Sequence, residues 1–262
     1  MNILVTAGNT QVPIDRVRCI TSIFSGRTGA NLALHAYRRG HRVTLLTSHP
    51  EVVADLATAA GMPAPSTTGD NPRWRCLFFQ TFDQLEKLLE ANIAHARQDA
   101  IIASAAVSDF RPTGIFAPAP GTEFDKEMGT WSAQTGPATL VDRAAGKVKS
   151  DEPELWLRLE RTPKLIDRIR TDWGFRGLLV KFKLEVGQDR QQLLATAEKS
   201  RLQSSADFMV ANLYDGSLSS FFVGPLSAQG NSLEERYQRV PRQDLPDKLF
   251  ELLERGAGFQ PA

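Results

Sequence analysis

Several segments of this chain hold residues whose types and spacing suit the handling of a small anion. The first runs Gly8-Asn9-Thr10-Gln11-Val12-Pro13-Ile14-Asp15 and continues to Ser25-Gly26-Arg27-Thr28-Gly29, ahead of a helical pattern. Small residues at a helix N-terminus expose backbone N–H groups, and Ser25 and Thr28 add hydroxyl donors, so a phosphate or carboxylate could sit there. The other use of Ser25 is to cap the helix. The spacing matches neither G-x-G-x-x-G nor G-x-x-x-x-G-K-[ST], which leaves a candidate anion site and no more. In Ala105-Ala106-Val107-Ser108-Asp109-Phe110, two alanines let a planar ring approach the backbone. Asp109 could hold a ribose or a metal there, or cap a turn. Gly146-Lys147-Val148-Lys149-Ser150 places Lys147 and Lys149 on one side of an extended segment. Lysines so placed can grip a triphosphate or be solvated charge. Phe182-Lys183-Leu184-Glu185 brings one aromatic ring and two opposite charges that can also pair with each other. Asn212, after Ala211, could cap a turn. The histidines His35, His41, His49 and His95 have no serine–acid partner and no metal spacing, so none is assigned to catalysis.

The elements that must carry these segments follow from hydrophobic periodicity. Ile3–Ala7 and His41–Ser48 are short apolar runs with the helical pattern Ala30, Leu34, Tyr37 between them, a βαβ unit. Further strand-like runs lie at Trp74–Gln80, Ala100–Val107, Gly177–Leu184 and Phe208–Leu213, with helical patterns at Phe82–Arg97, Pro163–Trp173 and Asp189–Ser204. Such alternation predicts an α/β fold, a Rossmann-like, mostly parallel sheet with helices on both faces. Ligands of open α/β sheets bind beyond the carboxyl ends of the strands, where the segments above begin. Residues 111–150 carry four prolines and five glycines with little periodicity, and are expected to form a long loop or flap. Leu155–Leu159 alternates as a strand packed on one face. Residues 217–224 are expected to form a hairpin strand, Leu245–Arg255 a final amphipathic helix, and 256–262 a frayed tail.

Composition narrows the function classes. A chain of 262 residues with 42% apolar content can bury one sizeable core, so a single domain over 1–262 is expected. The formal net charge of +1 supplies no field for nucleic acid or an anionic membrane. No stretch approaches the roughly 18 apolar residues that span a bilayer. The N-terminal run Met1-Asn2-Ile3-Leu4-Val5-Thr6 reads as a strand and not as a signal peptide. Cys19 and Cys76, without C-x-x-C pairing, point to reduced thiols in the cytoplasm and exclude a cysteine-held metal.

Taken in order, these segments resemble the phosphopantothenoylcysteine synthetase family. The matching pieces are Ile3-Leu4-Val5-Thr6-Ala7-Gly8 with Thr10, Pro13-Ile14-Asp15, Val17-Arg18, Ser25-Gly26-Arg27 with Gly29-Ala30, and Ala105 to Phe110. Lys147-Val148-Lys149, Thr162-Pro163, Phe182 to Glu185 and Val210-Ala211-Asn212 complete the set. No single piece is strong, but the ordered set from residue 3 to about 224 is specific.

The resemblance implies a homodimeric ligase of coenzyme A synthesis that uses CTP or ATP and Mg2+, with a dimerisation hairpin at about 208–224. In that family the carboxylate of 4'-phosphopantothenate attacks the α-phosphate and releases pyrophosphate, and the amine of cysteine then displaces the nucleotide. By match, Lys147 grips the triphosphate, and Ser22 and Arg27 join it as catalytic residues. Gly8, Ser25, Gly26, Ala105, Ala106, Asp109, Lys149, Phe182 and Lys183 line the nucleotide site, and Asp109 also meets the metal. The Ala-Val-Ser-Asp-Phe and Phe-Lys-Leu-Glu runs look like the family's eukaryotic, ATP-using type. The chain departs from the family at Asn9, which replaces a glycine and suits a left-handed backbone, and at Ser22, which replaces an asparagine that handles the acyl-nucleotidylate. Two alternatives stand beside the ligase: a nucleotide-binding homologue with lost or altered activity, and an NAD(P)-dependent oxidoreductase, which lacks its phosphate fingerprint and a Tyr-x-x-x-Lys dyad here.

Overall fold

A computed structural model describes residues 1–214, 219–227 and 232–258. The chain folds into two compact units. The first comprises Met1–Thr10, Ile23–Ala106 and Lys164–Ala262, and the second Gln11–Ser22 and Val107–Pro163.

Along the chain come β1 (Asn2–Ala7), β2 (Val12–Pro13), β3 (Cys19–Ile20), α1 (Arg27–Arg38), β4 (Arg42–Thr47) and α2 (Pro50–Ala59). Then follow β5 (Trp74–Phe78), α3 (Phe82–Ala94), β6 (Ala100–Ala103), β7 (Phe110–Pro118), β8 (Thr122–Asp125), β9 (Thr130–Ala133) and β10 (Leu140–Asp142). The remainder is β11 (Trp156–Arg161), α4 (Leu165–Thr171), β12 (Leu178–Glu185), α5 (Arg190–Gln203), β13 (Phe208–Leu213), β14 (Ser220–Gly224), α6 (Leu233–Arg236), β15 (Gln238–Pro241) and α7 (Leu245–Gly256).

The first unit is built on an eight-stranded sheet of order β15-β14-β13-β12-β6-β1-β4-β5. Its six strands β1, β4, β5, β6, β12 and β13 pair in parallel, and β14 and β15 add an antiparallel edge. Parallel strands covered on both faces bury nearly every side chain, which is why β1 and β4 read as continuous apolar runs. Counted in their own order, the parallel strands run 6-5-4-1-2-3, and the direction of winding reverses between β1 and β6. That reversal is the switch point at which doubly wound sheets open a crevice for ligand. The α/β reading of the sequence is thus the observed one.

Helices in this unit start on local signals. Thr81 with Gln84 and Asp189 with Gln192 form reciprocal capping boxes at α3 and α5, each satisfying otherwise orphaned backbone donors. Amphipathic α7 buries Leu245, Leu249, Phe250, Leu252 and Leu253 in the main core. Glu198 on α5 is buried and accepts from Arg201 Nε and Nη2 (2.7 and 2.9 Å), Arg236 (2.7 Å) and the Tyr237 hydroxyl (2.7 Å). The Arg201 guanidinium holds its carboxyl down at about 2.

In the second unit, residues 111–150 are not loop throughout. Strand β7 pairs antiparallel with both β10 and β11, β8 pairs with β9, and β2 pairs with β3. Within β7 only Ile115 and Ala117 are buried, and Pro112 and Pro118 interrupt it, so neither face carries a periodic apolar signal. Phe124, Trp131 and Trp156 form a small aromatic cluster with centroids 4.6–5.1 Å apart. Strand β11 forms where alternation places it, but Leu159 is exposed. In the expected hairpin, β13 and β14 pair antiparallel from Met209–Gly224 to Ala211–Phe222, and residues 215–218 lie outside those described. Of the expected tail, Gly256 still belongs to α7 and 259–262 lie outside the described residues.

Candidate functional site

The turn between β1 and α1 sits at the switch point, and glycine makes it possible. Gly8 has φ +84°, and a Cβ there would lie 2.2 Å from Ser48 Oγ. Gly26 has φ +78°, and its Cβ would lie 1.9 Å from the Gly8 nitrogen. Only the hydrogen of glycine lets the start of α1 rest on the backbone at the end of β1. Gly26, not Ser25, is the N-cap of α1, and no side chain caps that end. The first turn also lacks an acidic residue, so its free N–H groups and the helix dipole present an uncompensated positive end. Ser25 and Arg27 beside it are exposed.

Asn9 has a role different from the left-handed one expected of it, since Ser205 is the one described non-glycine residue with positive φ. Its side chain donates to the Phe24 carbonyl (3.0 Å), and its backbone N–H donates to Ser48 Oγ (2.9 Å). It therefore staples the returning segment before Gly26 to the end of β1. Beyond β6 the pairing with β1 continues: Ala106 N–H donates to the Gly8 carbonyl (2.8 Å), and Thr10 N–H to the Ala106 carbonyl (3.2 Å). Ala105 N–H donates to Thr6 Oγ1 (3.2 Å). Gly8, Ala105 and Ala106 are thus brought side by side with a small-residue floor.

At the end of the next strand, Phe182 and Lys183 are half-buried, and Lys183 Nζ pairs with Glu185 (2.9 Å), the alternative use read from the sequence. Asn212 on β13 is buried, and its Nδ2 has no hydrogen-bond partner among the described residues. An orphaned buried donor is costly to leave unpaired. The sequence carried that signal only as an asparagine at a strand end.

In the second unit, Thr162 donates its hydroxyl to the Ser108 carbonyl (2.7 Å) and its N–H to the Asp109 carbonyl (2.9 Å). These bonds tie down the backbone on either side of Asp109, whose side chain is exposed. Ser22 ends the segment 11–22 and is half-buried. Lys147 and Lys149 are exposed and flank Val148, which is only 3% exposed. The Arg18 guanidinium (Nη2 to Oδ2, 2.6 Å) holds the carboxyl of Asp15 well below the usual carboxylate range. Asp15 and Arg18 are residues to which the sequence assigned no role.

Among the described residues no group of three or more His, Cys, Asp or Glu side chains could hold a metal ion. Mg2+ seldom needs such a cage, because one or two carboxylates plus substrate phosphates suffice. Asp109 with an incoming triphosphate fits that pattern. No described helix is long and apolar enough to cross a membrane.

Comparison with known proteins shows what this chain is similar to. Residues 1–117 match the DNA/pantothenate metabolism flavoprotein C-terminal domain. The coenzyme A biosynthesis bifunctional protein CoaBC of Thermococcus kodakarensis is 27% identical over 253 residues, covering 97% of this chain and 51% of that protein. That of Escherichia coli K12 is 24% identical over 212 residues, 81% of this chain and 41% of that protein. The chain therefore spans about half or less of the length of these relatives. Among solved structures, the DNA/pantothenate metabolism flavoprotein from Streptococcus pneumoniae superposes with a TM-score of 0.70 at 23% identity, covering 97% of this chain and 99% of that one. A Cab2 mutant solved in complex with phosphopantothenate-cysteine gives a TM-score of 0.63 at 16% identity, covering 98% and 87%. Residues 1–117 are thus similar to the DNA/pantothenate metabolism flavoprotein C-terminal domain, and the chain as a whole is similar in sequence to CoaBC proteins and in fold to solved proteins of that kind.

Proposed function

We propose that the chain is a cytoplasmic, homodimeric ligase that joins 4'-phosphopantothenate to cysteine at the expense of a nucleoside triphosphate. The observation that carries this reading is the β1–α1 turn, where Gly26 rests on the Gly8 backbone and leaves an uncapped helix end at the switch point. Such an end suits a phosphoryl group under attack, because preorganised donors stabilise charge as it develops. Lys147 and Lys149 hold the β- and γ-phosphates and neutralise the departing pyrophosphate. Asp109 supplies the protein carboxylate to Mg2+, which would screen the triphosphate when bound. Ala105, Ala106 and Phe182 accept the base, and the free Nδ2 of Asn212 offers it a hydrogen bond. The substrate carboxylate attacks the α-phosphorus and the bond to pyrophosphate breaks. The cysteine amine then attacks the acyl carbon, and the nucleoside monophosphate leaves. Either CTP or ATP serves as co-substrate, with ATP favoured by the Phe182-Lys183-Leu184-Glu185 run.

Pyrophosphate release tests this with 4'-phosphopantothenate, Mg2+ and either CTP or ATP, each with and without cysteine. Sustained, cysteine-dependent release is expected, and Lys147→Gln is expected to abolish it while leaving the fold intact. Full activity of that variant would remove Lys147 from the reaction. A second reading, nucleotide binding without ligation, is favoured by Ser22 in place of the family asparagine. A single burst indifferent to cysteine would be its signature.

A further inference from the structure

Residues 143–150 hold no helix or strand, yet they carry the two lysines to which the proposed reaction assigns the triphosphate. One peptide residue in this segment is held from both sides. Val148 N–H donates to Asp15 Oδ2 (3.1 Å), and Arg18 Nη2 donates to the Val148 carbonyl (2.9 Å). Arg16 N–H adds a bond to the Gly146 carbonyl (3.1 Å). The Asp15 carboxylate is itself fixed, accepting from the N–H groups of Val17 and Arg18 (both 2.8 Å) and from the Arg18 side chain (2.6 and 3.1 Å), and it has no exposed surface. The Arg18 guanidinium keeps it ionised well below neutral pH. Val148 turns inward while Lys147 and Lys149 on either side face solvent.

We propose that Asp15 is a positioning residue: by clasping Val148 it presents Lys147 and Lys149 as a preformed grip for the phosphates of the nucleotide. The proposal rests on the triphosphate reading of these lysines. Flexible lysines on an unpinned loop would lose backbone and side-chain entropy on each binding event, and a clasp made on folding removes part of that cost. Asp15 touches no substrate and acts only through the segment it holds.

The test compares the wild type with Asp15→Asn, Lys147→Gln and the double variant, reading kcat and KM for ATP and CTP by pyrophosphate release for the first two and nucleotide Kd by titration calorimetry for all four. Asp15→Asn keeps the shape but loses the charge that Val148 and Arg18 bind. KM for the nucleotide should rise about ten- to a hundredfold, the change a hydrogen bond to a charged group carries, with kcat moving less. Because Asp15 acts through Lys147 and Lys149, the loss of nucleotide affinity in the double variant should be less than the sum of the two single losses. An unchanged KM, or additive losses, overturns the proposal. Amide hydrogen exchange on the wild type needs no folded variant: the Val148 N–H should exchange at least about tenfold more slowly than those of Lys147 and Lys149. Equally fast exchange at all three overturns the clasp. Full activity of Lys147→Gln beside a slow Val148 amide is a different failure: it overturns the triphosphate reading, and the proposal with it, while the clasp itself stands.

Discussion

Two glycines with similar positive φ separate the cost of the β1–α1 contact from the cost of a left-handed residue. Gly26 (φ +78°) would place a Cβ 1.9 Å from the Gly8 nitrogen, 2.5 Å from Gly8 Cα and 2.9 Å from the Ala7 carbonyl carbon. Every one of these is a backbone atom, so no rotamer change relieves the overlap. Gly40 (φ +88°) has nothing within 4 Å of its Cβ position. Gly40→Ala therefore measures the left-handed backbone alone, about 1–2 kcal/mol. Gly26→Ala adds the displacement of α1 from the end of β1, and overpacking of this kind costs about 1–3 kcal/mol more, for a total of about 2–5 kcal/mol. Urea unfolding reads both losses, and an unchanged slope shows that the unfolded states are comparable. Titration calorimetry with ATP and CTP reads the site. Gly40→Ala should leave nucleotide affinity unchanged, and Gly26→Ala should lower it at least about tenfold, the loss of one well-placed donor to an anion. Equal destabilisation by the two variants, or full nucleotide affinity in Gly26→Ala, would refute the argument that this close approach builds the anion site.

Further outcomes are expected elsewhere. Glu198→Gln should destabilise the protein by about 3–5 kcal/mol in urea, since it leaves Arg201 and Arg236 without their buried partner. The same carboxyl has its folded value depressed from 4.5 to about 2, so the stability it contributes is complete above about pH 4.5 and is lost as pH falls toward 2. Acid unfolding of Glu198→Gln should accordingly be shallower than that of the wild type. Cys19 is exposed, whereas burial pushes the Cys76 thiol up to about 11, so a thiol reagent at pH 8 should titrate one cysteine in the native protein and two in denaturant. Trp131→Ala should cost less than the about 3–5 kcal/mol of a fully buried tryptophan, because the ring is only half-covered by Phe124 and Trp156. Near-ultraviolet circular dichroism should register the loss of that ring pair.

The legible parts of the fold were those whose signal is local and strong. Strands β1, β4, β6, β12 and β13 stood out because burial on both faces demands unbroken apolar runs, and α3 and α5 because their apolar residues recur at helical spacing. Helix α2 escaped notice: it buries only Val53 and Ala57, too few positions for a 3.6-residue period. Apart from β11, which alternation marks, the strands of the second unit were hidden by prolines and by half-exposed faces. At the site, position along the sheet was legible at Gly8, Ala105 and Ala106, since strand ends can be read from runs. Conformation was not, as Gly26 rather than Ser25 caps α1, and Asn9 braces a loop instead of bending left-handed. The bond from Val148 to Asp15 joins residues 133 positions apart, a separation no periodicity reports.

The division of the chain into interleaved pieces bears on how such a protein can be cut, swapped or rebuilt. The second unit is assembled from 11–22 and 107–163, so the polypeptide passes between units four times, after residues 10, 22, 106 and 163. Its three-stranded sheet lies wholly within 110–161 and would travel intact in a transplanted block. The ion pair that grips Val148 would stay behind, because Asp15 and Arg18 belong to the other piece. A chimera exchanging 107–163 between homologues therefore inherits its lysines from one parent and the brace that aims them from the other. Compatible exchange requires 11–22 to move as well, which makes these two stretches one unit of inheritance despite the eighty-four residues between them.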